Sequence, residues 1–348
     1  MVRAMTTSCD THRAGLSPRM RDATECGPLG KPGQGLRRDL DRRQGGRQTV
    51  GILNINKSRG LTSHDAVDIV RRVSRQRRVG HSGTLDPLAT GVLVVLLGKA
   101  TRLAEYVADR PKSYLATVHF GVITDTWDAE GRVVETRDSS DLSVEVIERA
   151  LARFKGAIEQ VPPMYSAIKR DGQRLYHLAR QGITVRRDPR WVEIYQTRVV
   201  DWCTPELVVQ IDCAKGTYIR SLAHDLGQAV GTGAHLSDLT RLAVGGFLLE
   251  DAVSLASLLD ERANDHQWKR HLLPMRAALG HMPGVTVDLG TARRISCGQG
   301  VQLEVATDAR LCCAYTVQVE NGEPQLLAVL RHDQKAGLWR PDKVLRAL

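Results

Sequence analysis

A single carboxylate stands in a loop that carries glycine at both ends. The segment Gly80–Gly91 reads Gly-His-Ser-Gly-Thr-Leu-Asp-Pro-Leu-Ala-Thr-Gly, and the apolar run Val92–Leu97 follows it. Pro87 biases Asp86 towards an extended backbone and removes one backbone donor. An aspartate before proline is most often a turn former. The segment alone therefore predicts a turn that presents a carboxylate just before a strand.

Capping and periodicity predict the elements around this loop. Thr62 and Asp65 form a capping-box pattern, and apolar residues at helical spacing follow them, so we predict a helix there. Similar patterns predict strands at Gly51–Asn56, Val92–Leu97, Tyr114–Phe120 and Leu207–Cys213, helices at Ser143–Phe154, from Ile219 and at Ser254–Arg262, and a hairpin turn at Asp128–Gly131.

The texture of the chain changes near Gly284. Short β-type runs separated by Gly, Asn and Asp follow, at Val285–Val287, Val301–Val305, Cys312–Val319 and Gln325–Leu330. Runs of this length and spacing are typical of small all-β modules. We therefore predict a small β-barrel over residues 284–348.

Basic charge is concentrated in two places. The chain has 49 Lys and Arg against 39 Asp and Glu, a net charge of +10. Residues 1–48 contribute +5 and the segment Lys169–Arg190 contributes another +5, so the remainder is close to neutral. Arg71, Arg72 and Arg75 add a local cluster at the end of the first predicted helix, which exceeds what the helix dipole needs. Localised cations favour a polyanionic partner such as RNA.

Other features exclude whole classes of protein. No apolar run approaches the roughly 18 residues of a membrane span, and no signal-peptide core precedes the fold. The seven cysteines are odd in number and lack a Cys-x-x-Cys pair, which favours reduced thiols in a cytoplasmic protein without a structural metal. Residues 1–48 have no apolar periodicity and predict a disordered basic tail, or a start site upstream of the true one.

Several segments in order resemble the TruB-type tRNA pseudouridine-55 synthases. The resemblance spans roughly residues 50–260, with Ser58 standing where the family usually has proline. The segments that carry it are Lys57–Ser63, Gly80–Gly91, Thr124–Gly131, Pro162–Lys169, Gly216–Arg220, Gly233–Leu236 and Leu239–Leu242. The C-terminal module resembles the PUA-like domain of bacterial members in its length and β texture.

This resemblance implies an α/β (α+β) catalytic domain over residues 49–280, with a mixed, largely antiparallel sheet flanked by helices. Residues 169–190 would form a basic insertion that grips RNA, and residues 284–348 a PUA-like RNA-binding domain. The implied reaction converts uridine 55 of the tRNA T-arm loop into pseudouridine without a cofactor, a metal or a guide RNA. We expect the enzyme to act as a monomer.

The resemblance also implies roles for individual residues. Asp86 would be the catalytic carboxylate, and Arg220 its counter-ion, because a nearby guanidinium keeps a buried carboxylate ionised. Tyr114 would stack on a flipped-out uracil. The further implied substrate contacts are His81, Tyr218, Leu239 and Asp125, of which Asp125 is interpreted as a structural hydrogen-bonder, and the implied RNA-backbone contacts are Arg71, Arg72, Arg75, Lys169, Arg170 and Arg174.

Three alternatives remain open. A guide-dependent, dyskerin-like synthase would share the catalytic motifs, and a tRNA-folding chaperone would bind RNA with catalysis secondary or lost. A retaining glycosidase needs two carboxylates at a defined separation, and Asp125 is the nearby acidic candidate for the second. The atom that Asp86 engages first, C6 or C1′, or an assisted elimination from the sugar, is also open.

Overall fold

The computed structural model of the chain describes residues 48–166, 168–170, 172–262, 267–305, 309–320 and 323–346. The side chains of residues 169, 174, 176, 318–320 and 323 lie outside this description, as does the predicted tail up to residue 47. No helix within the described ranges is both long and apolar enough to cross a bilayer.

Eighteen strands and seven α-helices make up the described chain. The strands are β1 Gly51–Lys57, β2 Val79–His81, β3 Thr90–Leu97, β4 Lys112–Phe120, β5 Val122–Thr124, β6 Val133–Thr136, β7 Gly156–Gln160, β8 Lys169–Arg170, β9 Gln173–Arg174, β10 Arg190–Cys203, β11 Glu206–Cys213, β12 Ala234–Val244, β13 Phe247–Leu248, β14 Val253–Ser254, β15 Gly284–Val287, β16 Leu311–Glu320, β17 Glu323–Asp333 and β18 Leu338–Val344. The helices are α1 Ser63–Ser74, α2 Ala104–Ala108, α3 Val144–Ala152, α4 Leu175–Arg180, α5 Ile219–Ala229, α6 Leu255–Arg262 and α7 Leu289–Ser296.

A large mixed sheet forms the centre of the fold. Its strand order is β14-β1-β3-β12-β4-β11-β10-β7, with β2 paired to β3 and β13 paired to β12. Only the β1–β14 and β3–β12 pairs are parallel among the described pairings of this sheet. The predicted mixed, largely antiparallel sheet flanked by helices is therefore confirmed.

Different layers cover the two faces of this sheet. On one face, α1 and α5 bury residues such as Val70 and Leu226 in the main core. On the other face, Val94 and Leu96 of β3 pack in one cluster with Val329 of β17. Since β3 is buried on both faces, it forms the fully apolar run that the sequence shows. The loop that carries Asp86 thus leads into a strand that is packed on both faces.

The predicted helices are confirmed, and α1 begins at the capping box of Thr62 and Asp65. The predicted strand at Val301–Val305 is wrong. Only Val301 pairs, in an isolated bridge to Trp339, while Leu303 and Val305 pack on the small C-terminal core. Their alternation reflects burial rather than a ladder of hydrogen bonds.

The C-terminal module contains two elements that the sequence did not predict, α7 and β18. Its sheet has the order β15-β16-β17-β18. Among the described residues no pairing joins β15 to β18. These strands form a four-stranded sheet that packs with α7, and closure into the predicted barrel stays a prediction. Pro341 argues against a strand in the sequence, since proline cannot donate to a ladder of hydrogen bonds. It is tolerated here because β18 lies at the edge of the sheet.

Candidate active site

The backbone on both sides of Asp86 is fixed by side chains from the chain segment before it. The Ser63 hydroxyl accepts a hydrogen bond from the Leu85 amide at 2.7 Å and donates to the Leu85 carbonyl at 3.0 Å. The Pro87 carbonyl accepts from the Gly60 amide at 2.8 Å and from Lys57 Nζ at 3.4 Å. The carboxylate between them is therefore held in place before any substrate arrives.

Lys57 is fully buried although it is a lysine. Its ammonium group also donates to the carbonyls of Ser58 and Leu61, at 2.9 and 2.7 Å. Burial lowers the pKa of Lys57 from 10.5 to about 8, and the Asp86 carboxylate opposes that shift. Lys57 lies in a segment that carries the family resemblance, but no role was predicted for it.

We predict that Lys57 makes the stability of the protein rise with pH above about 8. Between pH 8 and 10.5 the unfolded chain still holds a proton that the folded chain has released, so the free energy of unfolding increases. Urea unfolding of wild type and Lys57→Met across this range should show a difference that grows in favour of the wild type by about 1–3 kcal/mol. Lys112, whose pKa burial also lowers, is present in both proteins and cancels. A constant difference would contradict the prediction.

Asp86 meets Arg220, as the resemblance implied. Arg220 Nε lies 3.0 Å from Asp86 Oδ2, and the guanidinium is 4% exposed while the Asp86 side chain is 36% exposed. The Nε–H is not aligned for a hydrogen bond, so charge holds the contact. Arg220 is held in turn by the carbonyls of Tyr165 at 2.8 Å and Thr126 at 3.4 Å. A buried cation thus supports a carboxylate that remains open to a substrate.

A second carboxylate, Asp128, shares the same guanidinium. Its Oδ2 lies 3.3 Å from Arg220 Nη1, and the residue is buried. Its Oδ1 accepts hydrogen bonds from the Thr126 hydroxyl at 2.6 Å and the Glu130 amide at 3.1 Å. Burial raises the pKa of Glu130, and Asp128 and Asp86 add to that shift. Asp128 was predicted only as a residue of the hairpin turn. The aspartate does lie in that turn, and its other oxygen also faces Arg220.

Arg241 on β12 ties the Asp86 loop to the sheet. It is buried, and its Nε donates to the Val92 carbonyl at 2.7 Å while Nη2 donates to the Gly83 carbonyl at 3.1 Å. It also lies directly opposite Tyr114 in the antiparallel pairing of β12 with β4. The backbones approach so closely that a Cβ on Gly91, which has φ +98°, would lie 2.3 Å from the Arg241 carbonyl. Arg241 therefore joins the loop and Tyr114 in one unit.

Loss of this arginine should destabilise the fold. Arg241→Met leaves the buried Val92 carbonyl and the half-buried Gly83 carbonyl without this donor, so we expect the free energy of unfolding to fall by about 3 kcal/mol. Arg198→Met is the matched control, since Arg198 is exposed and bonded to Gln210; its effect should stay within about 0.5 kcal/mol. Urea unfolding measures both. Equal, small effects would show that Arg241 does not anchor the loop.

The other residues implied as substrate contacts differ in the element that carries them and in their burial. Tyr114 and Leu239 lie on neighbouring strands and are 9% and 6% exposed. Tyr218 stands at the N-cap position of α5, two residues before Arg220, and burial raises the pKa of its hydroxyl. His81 ends β2, and burial lowers the pKa of its imidazole.

The carboxylate of Asp125 contacts Arg132 rather than Arg220. Its carboxylate accepts from the Arg132 amide at 2.9 Å and pairs with Arg132 Nε at 3.3 Å. It therefore stabilises the hairpin turn through Arg132.

The three arginines at the end of α1 differ in their exposure and in their contacts. Arg71 is half-buried, where it pairs with Asp68 at 2.8 Å and donates to the Val79 carbonyl at 3.0 Å. Arg72 is exposed, and exposed Arg75 ends the helix with a left-handed backbone, φ 51°. Contact of these three with RNA stays a prediction.

The basic insertion forms a β8–β9 hairpin followed by α4. Arg170 donates to the Arg186 carbonyl, so the two ends of the insertion meet. The side chains of Lys169 and Arg174 lie outside the described part. A cavity of about 480 Å³ lies within the insertion and does not include Asp86; Arg170, Gln173, Leu178, Val185 and Arg186 line it.

The chain is similar to proteins of one known family. Residues 71–219 match the family described as TruB family pseudouridylate synthase (N terminal domain), and residues 220–280 match the tRNA pseudouridylate synthase B C-terminal domain. The tRNA pseudouridine synthase B of Dehalococcoides mccartyi (strain BAV1) is 45% identical over 294 residues, which cover 84% of this chain and 96% of that protein. The tRNA pseudouridine synthase B of Symbiobacterium thermophilum is 50% identical, over 70% of this chain and 81% of that protein.

A solved structure shares the fold. A chain of the Cbf5-Nop10-Gar1 complex superposes with a TM-score of 0.66 at 26% identity, covering 85% of both chains. The extent of the sequence match establishes that this chain belongs to the TruB family of pseudouridylate synthases.

Proposed function

We propose that this protein converts uridine 55 in the T-arm loop of tRNA into pseudouridine, with Asp86 as the catalytic carboxylate. The observation that carries the proposal is the pair of a partly exposed Asp86 and a buried Arg220 at 3.0 Å. The names of its relatives, tRNA pseudouridine synthase B, support tRNA as the substrate.

The reaction rearranges bonds within one nucleotide. The N1–C1′ bond breaks, the uracil turns, and a C5–C1′ bond forms; C5 then loses its proton and N1 gains one, so atoms and charge balance. An ionised Asp86 suits attack at C6 or C1′, or assistance to an elimination from the sugar. Arg220 stays charged throughout and keeps the carboxylate in place, while Asp128 holds the other edge of the guanidinium.

The uridine must leave its stack to reach Asp86, which costs a few kcal/mol. Stacking on an aromatic ring returns about 1–3 kcal/mol, and we assign this role to Tyr114, which lies opposite Arg241 in the sheet. Tyr218 and Leu239 would contact the flipped nucleotide, and His81 would fill the space beside it. The proposed RNA-backbone contacts are Arg71, Arg72, Arg75, Lys169, Arg170, Arg174 and the C-terminal module of residues 284–348.

Activity of the purified protein on a bare T-arm stem-loop transcript tests the proposal. We expect stoichiometric pseudouridine without any guide RNA or partner protein, and none when cytidine replaces the target uridine. The structural likeness to a Cbf5-Nop10-Gar1 complex raises the guide-dependent alternative, which product from the bare transcript would exclude. Tight binding without product would instead favour an RNA chaperone.

A further inference from the structure

A stack of three side chains lies beside the catalytic pair. The Trp127 indole packs face to face on the His224 imidazole, with ring centroids 4.3 Å apart and an interplanar angle of 11°. The Arg187 guanidinium carbon lies 5.3 Å from the centroid of the Trp127 ring. The three residues come from the turn after β5, from α5 and from the segment between α4 and β10.

The backbone of Trp127 is strained to place this ring. Its φ is 64°, the left-handed region that non-glycine residues seldom adopt. Hydrogen bonds hold the strained residue: its amide donates to the Thr124 carbonyl at 3.3 Å, and its carbonyl accepts from the Leu236 amide at 3.0 Å. Such strain persists where the surroundings enforce it, and it is concentrated at functional sites.

Arg187 is arranged for the ring more than for a phosphate. It is half-buried, its Nη1 donates to the Pro162 carbonyl at 3.1 Å, and its buried Nε lacks a hydrogen-bond partner within the described residues. Burial also lowers the pKa of its guanidinium. A desolvated guanidinium over an indole is a favourable cation–π contact. This cation of the insertion therefore serves an internal contact.

We propose that Trp127 is a positioning residue that fastens the end of the basic insertion to the group that holds Arg220. Its chain neighbours, Thr126 and Asp128, are both partners of Arg220. His224, on the other face of the ring, lies one turn after Arg220 on α5. RNA held by the insertion thereby steadies the ion pair at Asp86, a consequence that rests on the proposed function.

Hydrogen exchange of the free, full-length protein tests the fastening without any activity. Trp127→Asn removes the ring while asparagine tolerates the left-handed backbone, and Trp127→Phe is the matched variant that keeps a ring. We expect the hydrogen-bonded amides of Gly182 and Ile183 to exchange about tenfold faster in Trp127→Asn, equivalent to about 1.4 kcal/mol, and near the wild-type rate in Trp127→Phe. Unchanged exchange in Trp127→Asn would overturn the proposal.

A double-mutant cycle tests the link to catalysis. Arg187→Lys keeps the charge but loses the planar stack, so Trp127→Asn and Arg187→Lys should each lower the single-turnover rate on the T-arm by about tenfold. The double variant should be no slower than either single variant, because both break the same contact. Multiplicative losses would overturn the link. If wild type made no pseudouridine, the proposed function would fail, while hydrogen exchange would still decide the fastening.

Discussion

Replacing Asp86 with asparagine is expected to lower the single-turnover rate of pseudouridine formation on order of 10⁴-fold or more, the effect of removing a nucleophile from a preorganised site. The change removes one negative charge and alters the shape of the side chain little. Ser63 and Lys57 hold the backbone through Leu85 and Pro87 and do not need the carboxylate. The dissociation constant for the T-arm should therefore change less than about threefold.

A matched substitution separates catalysis from general damage. Asp109→Asn makes the same change at an exposed carboxylate that pairs with Lys215, and we expect wild-type rates from it. Single-turnover kinetics with saturating protein, together with filter binding, measure rate and affinity independently. An Asp86→Asn protein that kept a tenth of the wild-type rate would refute the role assigned to this carboxylate.

The second large effect is expected from Arg220→Met. This change leaves Asp128 buried and unpaired, and breaking a buried ion pair in this way costs about 3–5 kcal/mol of stability. It also removes the cation that lies 3.0 Å from the Asp86 carboxylate. We expect the rate of pseudouridine formation to fall by about 10³-fold.

Removing Asp128 as well should relieve the loss of stability. In Arg220→Met/Asp128→Asn no buried charge is left unpaired, so the free energy of unfolding should recover by about 2 kcal/mol or more. Urea unfolding of wild type, both single variants and the double variant measures this coupling. Strictly additive effects would show that Arg220 and Asp128 are not coupled.

The sequence predicted the parts of the site that lie in recognisable segments. Asp86 and Arg220 could be paired through the family resemblance, since each lies in its own motif. Asp128 was missed because its local pattern is that of a turn residue, and its Oδ1 does accept a hydrogen bond from the Glu130 amide in the turn. Which way its other oxygen points depends on α5, far away in the sequence.

Arg241 illustrates what local patterns leave out. Its role depends on the antiparallel pairing of β12 with β4, which sets it opposite Tyr114, and on the parallel contact of β12 with β3, which sets it beside Gly91. No strand was predicted over β12, and side-chain periodicity in general does not specify which strands a strand joins. The Trp127 stack depends on tertiary packing for the same reason.

Position-resolved mapping of pseudouridine in an unmodified tRNA transcript tests the central claim most directly. Purified wild type and Asp86→Asn are incubated with the transcript in parallel, without guide RNA or other proteins. We predict one pseudouridine, at position 55 of the T loop, with the wild type and none with the variant. Modification confined to other uridines, or equal modification by the two proteins, would contradict the role of Asp86 in forming pseudouridine 55.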